Sequence, residues 1–216
     1  MDSSNPASAS SGPTARRRTG GRSARVRAQV VEAVGALLLE AGYDGLTVDA
    51  VAERAGVHRT TVYRRWRDVG GLLADILDAA ADDTWQPPDT GSLEGDLTEL
   101  NREVYDALAA GHTLTAALIA ASFRSAGAAD ALSRFWENRY ERCAAVVDRA
   151  AARGEVPAGT APRALLVSAT APLYHELLLL RSAPDPALPG RAAQAAVAAA
   201  RAGAFRRTAR TPGAAG

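Results

Sequence analysis

Three observations predict an all-α chain. Apolar residues recur at helical spacing in nearly every segment between breaks, and no stretch alternates apolar with polar residues as a half-buried strand would. The breaks carry glycine, proline and capping residues where helices end and begin. A length of 216 residues permits one large or two modest domains with an ample core.

The elements follow in order. Residues 1–20 are mostly Ser, Ala, Gly, Pro and Arg without periodicity and are expected to be a disordered basic arm. Their Arg16–Arg18 run reads first as a solvated tail; the alternative is an arm that tracks phosphates or enters a minor groove. Arg22–Ala41 carries the stripe Val26, Val30, Ala33, Val34, Leu37 and Ala41, and Gly42 ends it. Thr47 then opens a short helix as N-cap, Asp49 complements the positive end of its dipole, and Val48, Val51 and Ala52 form one apolar stripe. Gly56 stands where a helix end prefers a residue that tolerates positive φ, and Val57 can plug the angle to a second short helix, His58–Trp66. Asp68–Gly71 reads as a break before a fourth helix marked by Leu72, Leu73, Ile76 and Leu77.

Pro87, Pro88 and Gly91 make Gln86–Ser92 the best domain boundary, with Ser92 as a cap for the next helix. Helical blocks follow at Leu93–Ala109, His112–Ser125, Ala128–Arg153, Pro162–Ser182 and Arg191–Arg207. The expected organisation is a helical head over 21–85, a helical body over 92–207 and a flexible tail over 208–216.

The segment Thr47–Trp66 is the most informative. Val62 and Trp66, four apart, give its second helix one apolar face and leave Arg59, Thr60, Tyr63, Arg64 and Arg65 on the others. A helix so short and polar is not stable alone and must be held by neighbours while its polar face meets a partner. A helix-turn-helix does this by lodging the second helix in the major groove of DNA. A glycine-turned helical hairpin with solvated arginines is the competing reading, but no acidic residue occurs between Arg54 and Arg67.

Charge distribution supports the first reading. The net charge is only +1, yet residues 1–67 hold eleven Arg against six acidic residues, while 68–216 hold fourteen Arg against eighteen. A basic head on an acidic body suits a polyanion partner for the head alone. All 25 basic residues are Arg, a pattern consistent with coding bias that still favours bidentate contacts to guanine and phosphate.

Cys143 is the only cysteine, which excludes an intramolecular disulfide and a multi-cysteine zinc site and fits a reducing, cytoplasmic setting. The three His are scattered, so no metal site is expected. The N-terminus lacks the apolar run of a signal peptide, and no uncharged run reaches transmembrane length, so no membrane partner is expected. Ala164–Leu180, the most apolar stretch, contains His175 and Glu176 and reads as a buried helix. No phosphate-cradling loop, Cys/His pair or metal spacing supports catalysis, so neither an enzyme nor a cofactor is expected.

The stretch Glu40–Trp66 resembles the DNA-binding domain of TetR/AcrR-type transcriptional regulators. The marks are Gly42-Tyr43 at a helix end, Leu46-Thr47 at the next opening, Ala55-Gly56-Val57 in the turn, and Val62-Tyr63 followed by Trp66. Leu72-Leu73 falls where that family's fourth helix begins its apolar face, and the run Arg163–Leu180 resembles one of its C-terminal domain types. The resemblance implies base contacts from Arg59, Thr60 and Thr61, phosphate or outer-base contacts from Tyr63, Arg64 and Arg65, and a capping and phosphate-donating role for Thr47. Val62 and Trp66 become core. The family often has a Lys at the start of the fourth helix; Val69 stands there, Arg67 or the arm is the candidate substitute, and Asp68 adds a repulsive charge.

The resemblance further implies a homodimer through two long helices, about Pro162–Ser182 and Arg191–Arg207, that binds a palindromic double-stranded operator, most often as a repressor. It also implies a C-terminal pocket whose small-molecule effector releases the DNA. Candidate lining residues are His112, Phe123, Trp136, Tyr140, Tyr174 and His175, with an apolar or weakly polar ligand expected; plain core or dimer seam is the competing role for each. Two further readings stay open: a constitutive or partner-controlled DNA binder with a filled C-terminal core, and a small-molecule carrier, which would not need the basic helix.

Overall fold

The computed structural model describes residues 19–81, 84–111 and 113–206. Described residues form helices α1 (Thr19–Ala41), α2 (Val48–Arg54), α3 (Arg59–Trp66), α4 (Val69–Ala81), α5 (Leu93–Ala109), α6 (Leu114–Ser122), α7 (Ala126–Ala152), α8 (Pro162–Tyr174) and α9 (Leu188–Arg201). No strand occurs among them; one isolated antiparallel bridge joins Thr160 to Arg206. The chain is all-α, a helix-turn-helix unit followed by a helical body.

Local chemistry explains the boundaries. Gly42 and Gly56 adopt φ of 65° and 63°, ending α1 and closing α2 where a Cβ would be strained. The hydroxyls of Thr47, Ser92, Thr113 and Ser125 each accept a backbone N–H in the first turn of α2, α5, α6 and α7.

Two main cores result. In the first, Val30, Val34 and Leu38 of α1 meet Val51 and Ala52 of α2, Val62 and Trp66 of α3, and Leu72, Leu73 and Ile76 of α4. Leu118 and Ala121 of α6 and Ala128 and Ala131 of α7 belong to the same cluster. The helix-turn-helix unit is therefore seated on the body through apolar packing, about 1.5–3 kcal/mol for each large aliphatic side chain fully buried. The second core joins α5, the later half of α7, α8 and α9 around Leu93, Leu97, Val146, Leu165 and Val197.

The segment between α4 and α5 is pinned to the body. Buried Asp96 accepts from the backbone N–H of Thr90 at 2.6 Å and its hydroxyl at 2.8 Å, and Arg149 reaches the Pro88 carbonyl. The Leu93 N–H donates to Glu155 at 2.8 Å.

Some element ends differ from the sequence expectation. The expected break at Asp68–Gly71 is the first turn of α4, because the Asp68 carboxylate accepts from the Gly71 N–H at 2.9 Å and caps the helix. The expected helix Pro162–Ser182 divides: α8 stops at Tyr174 and a π-helical turn runs over His175–Leu179. Pro172 lies inside α8 and offers no N–H to its ladder. Leu179 and Leu180 beyond it are 69% and 58% exposed, so this end of the apolar run is not buried in the chain. The last helix begins at Leu188 rather than Arg191 and ends at Arg201, with Gly203 at φ 81° just beyond.

Candidate DNA-binding surface and effector cavity

Helix α3 has the exposure a recognition helix needs. Val62 and Trp66 are buried, while Arg59, Thr60, Tyr63 and Arg64 share an exposed face and Thr61 is half-buried at its edge. Thr47 caps α2, its hydroxyl accepting from the Ala50 N–H at 3.1 Å. Arg65 is engaged differently from its sequence neighbours. Its guanidinium donates to the Ser23 hydroxyl at 2.9 Å and sits 4.9 Å over the Trp66 ring. It ties α3 to the start of α1 and so brings the exposed Arg22 and Arg25 beside the recognition helix.

His58 has a role the sequence reading missed. It precedes α3 as N-cap, its Nδ1 accepting from the Thr60 N–H at 3.4 Å and lying 2.8 Å from the Thr60 hydroxyl. Thr60 is thereby held in one orientation at the head of the helix. Asp68 is likewise a cap rather than only a repulsive charge, and Val69 opens α4 as the sequence indicates.

The mounting of α3 centres on Asp75 of α4. Its carboxylate accepts from the Trp66 indole at 3.0 Å and from Arg27 Nε at 2.9 Å. Burial works to raise this carboxyl, but the hydrogen bonds from Arg27 and Trp66 and the nearby positive charges of Arg27 and Arg65 bring it below its ordinary value. Glu40 of α1 pairs with Arg54 of α2, and Arg124 of the body pairs with Asp44 at 2.8 Å while covering Tyr43. Backbone contact fixes α4 against α3: a Cβ at Gly71 would lie 2.1 Å from the Trp66 carbonyl oxygen.

Between α4 and the body lies a cavity of about 340 Å³. Ile76, Leu77 and Ala80 of α4 form one wall; α5, α6, α7 and α8 close the rest. The lining is mainly apolar and strongly aromatic. Trp136 sits edge-on to Phe135 at 5.1 Å and to Tyr174 at 5.6 Å and stacks on Tyr140 at 6.2 Å. Also on the lining, Trp85 donates its indole N–H to Glu103 at 2.9 Å and is covered by Arg139 at 4.3 Å. Burial pushes the Cys143 thiol up to about 11 and raises the Tyr140 and Tyr174 phenols, so all three are neutral at neutral pH.

Of the six lining residues anticipated from sequence, Trp136, Tyr140 and Tyr174 face this cavity. Phe123 does not: it is the C-cap of α6, 82% exposed, because the helix ends before its ring can turn inward. His175 is also outside, exposed at the start of the π-helical turn, one residue past the point where α8 presents Tyr174 to the cavity. His112 lies outside the described residues, as does the Arg16–Arg18 arm.

Comparison with known proteins agrees with this geometry. Residues 31–76 match the family described as bacterial regulatory proteins, tetR family, and residues 87–210 match the tetracyclin repressor-like C-terminal domain. The chain belongs to the TetR family. This TetR-family chain is 34% identical over 154 residues to the HTH-type transcriptional regulator AqdR of Rhodococcus erythropolis, across 68% of its own length and 72% of the relative's. Salmonella enterica GusR shares the fold at a TM-score of 0.69 and 16% identity, over 86% of this chain and 100% of that one. The structure described as the SmeT-Triclosan complex shares it at 0.57 and 18% identity, over 81% and 90%.

A TetR-family protein is a helix-turn-helix transcriptional regulator and not an enzyme. Among the described residues no group of three or more His, Cys, Asp or Glu could hold a metal ion, and no single helix is long and apolar enough to cross a membrane. What sequence reasoning missed in this TetR-family chain are partners distant in sequence. Asp75 sits inside an Ala- and Leu-rich helix, and Trp85 stands at the edge of the expected 21–85 domain, just before the boundary read at Gln86–Ser92. The one legible hint was the presence of Asp75 and Asp78 among the apolar residues of α4.

Proposed function

We propose that this chain is a repressor that binds an inverted-repeat DNA operator as a homodimer and is released when a small molecule fills the cavity. One observation carries the reading: consecutive residues of α4 serve both ends. Asp75 holds Trp66 of the recognition helix, while Ile76 and Leu77 line the cavity. A ligand that favours one placement of α4 thereby favours one placement of α3. Its differential affinity for the two placements sets the size of the response.

Arg59, Thr60 and Thr61 are the base-reading candidates, with Tyr63 and Arg64 on phosphates and Thr47 supporting from α2. Arg65 contributes mainly by seating α1, which adds Arg22 and Arg25 to the basic surface. One short helix reads too few base pairs for useful specificity, and two related by a two-fold axis read a palindrome. The surface that supports dimerisation is the outer face of α8 and α9. Ala164, Ser168 and Ala171 on one helix and Ala195, Ala198 and Ala202 at the other are exposed and small, which allows close helix packing. Residues 21–85 serve as the DNA-binding unit and 92–207 as the regulatory and dimerisation unit, working in the cytoplasm where the DNA is.

The cavity favours ligand control over a constitutive binder, whose core would be filled. Sedimentation of the full chain, alone and on an operator fragment, tests the assembly. Two chains per site are expected; a single bound chain overturns the dimer.

A further inference from the structure

The walls of the cavity specify what fills it, and this inference rests on reading the cavity as the effector site. Its aromatic groups form one chain, Phe135–Trp136–Tyr174 with Tyr140 stacked on Trp136, so both ring faces and ring edges border the space. Aromatic guests gain from such edges and faces beyond the area they bury. Three hydroxyls on the lining, those of Thr115, Tyr140 and Tyr174, make no hydrogen bond among the described residues. The Thr170 hydroxyl, in contrast, is within 3.1 Å of the Leu166 carbonyl.

The two charged residues of the lining, Arg139 and Glu103, are engaged by neighbours. Arg139 stacks on Trp85 and Phe135 and reaches the Ala80 carbonyl, and Glu103 accepts the Trp85 indole N–H. A charged ligand would lose its hydration in the mainly apolar interior and would have to draw Arg139 or Glu103 out of these contacts to gain a counter-ion.

We propose that the cavity takes an uncharged bicyclic or tricyclic aromatic molecule bearing a hydrogen-bonding oxygen, held by the Phe135–Trp136–Tyr174 walls and the Thr115, Tyr140 and Tyr174 hydroxyls. The volume suits a ligand of that size.

Four probes separate the terms by isothermal titration of the full chain: 2-naphthol, naphthalene, 2-naphthoate and the saturated decahydro-2-naphthol. The expected result is one 2-naphthol per chain, bound at least roughly tenfold more tightly than 2-naphthoate and several-fold more tightly than the saturated alcohol. Tyr174→Phe and Tyr140→Phe retain the fold and remove part of the preference for 2-naphthol over naphthalene. Ala107→Leu, which fills the cavity from α5, reduces binding of both. Equal binding of 2-naphthoate or of the saturated alcohol overturns the ligand class, as does failure of every probe or binding unaffected by Ala107→Leu. DNA affinity measured in the same samples separates the two readings. Selective 2-naphthol binding that leaves DNA affinity unchanged upholds the ligand class and overturns release by cavity filling.

Discussion

The indole Nε1 of Trp66, the last residue of the recognition helix, donates to the carboxylate of Asp75 across 3.0 Å. Arg27 of α1 closes on the same carboxylate, so one side chain of α4 joins the three helices that place the DNA-reading surface. Ile76 and Leu77 follow directly in the cavity wall. The relationship makes α4 both the mount of α3 and a boundary of the cavity.

Removing this tie is predicted to weaken both stability and coupling. Asp75→Ala loses two charge-assisted hydrogen bonds from a partly exposed site and is expected to cost about 1–3 kcal/mol in chemical denaturation. Any response of DNA affinity to a cavity ligand is expected to shrink with it. Unchanged stability would show that the tie is dispensable.

Asp75 also predicts an acid dependence. Its folded carboxyl lies below the ordinary value, so its contribution to stability is present above the unfolded pKa of about 3.9 and is lost as pH falls from there through the folded value. Asp75→Asn is expected to flatten the stability profile in that window and leave the slope above about pH 5 unchanged.

Contacts on α3 are predicted to divide by role. Arg64→Ala is expected to weaken DNA binding evenly across sequences and to lower the salt slope by about one. Thr60→Ala is expected to alter preference at one base pair by ~1 kcal/mol and, through the lost His58 contact, to cost ~0.5–1 kcal/mol of stability. Equal effects of both on all sequences would contradict the docking.

Two glycines of the α4 environment are predicted to behave oppositely. A methyl at Gly71 would meet the Trp66 carbonyl at 2.1 Å, so Gly71→Ala must displace α3 or α4 and is expected to cost about 1–3 kcal/mol and most DNA binding. A methyl at Gly127 meets the Gly70 backbone at 3.6 Å, an ordinary contact, and Gly127→Ala is expected to be near neutral. Thermal melts of the two variants check the contrast.

The outer face of α8 and α9 predicts a clean separation of assembly from folding. Ala198→Arg leaves the exposed site soluble but blocks close packing with a second copy. Sedimentation is expected to show monomers with unchanged helicity and strongly reduced operator binding. A dimer that survives the substitution would put the interface elsewhere.

Much of this was legible in the residues. The helix-turn-helix was readable because its signals are local: Thr47, Gly56, the Val48–Val51–Ala52 stripe and the polar face opposite Val62 and Trp66 all lie within one short window. Three of the anticipated cavity residues were readable because Trp136 and Tyr140 share a helical face and Tyr174 sits on an apolar one. Phe123 and His175 were not, because a helix end decides whether a side chain points inward: α6 stops at Ser122, and α8 gives way to the π-helical turn after Tyr174. The Trp66–Asp75–Arg27 cluster and the Trp85–Glu103–Arg139 group were not legible either, since each joins residues that only tertiary packing brings together.

The most direct test of the central claim is selection of genomic fragments by ligand-stripped full-length protein, followed by fluorescence anisotropy on the enriched site across a salt series. The account predicts a short inverted repeat bound by two chains, with affinity falling steeply as salt rises. Failure of the stripped protein to enrich any sequence would contradict it.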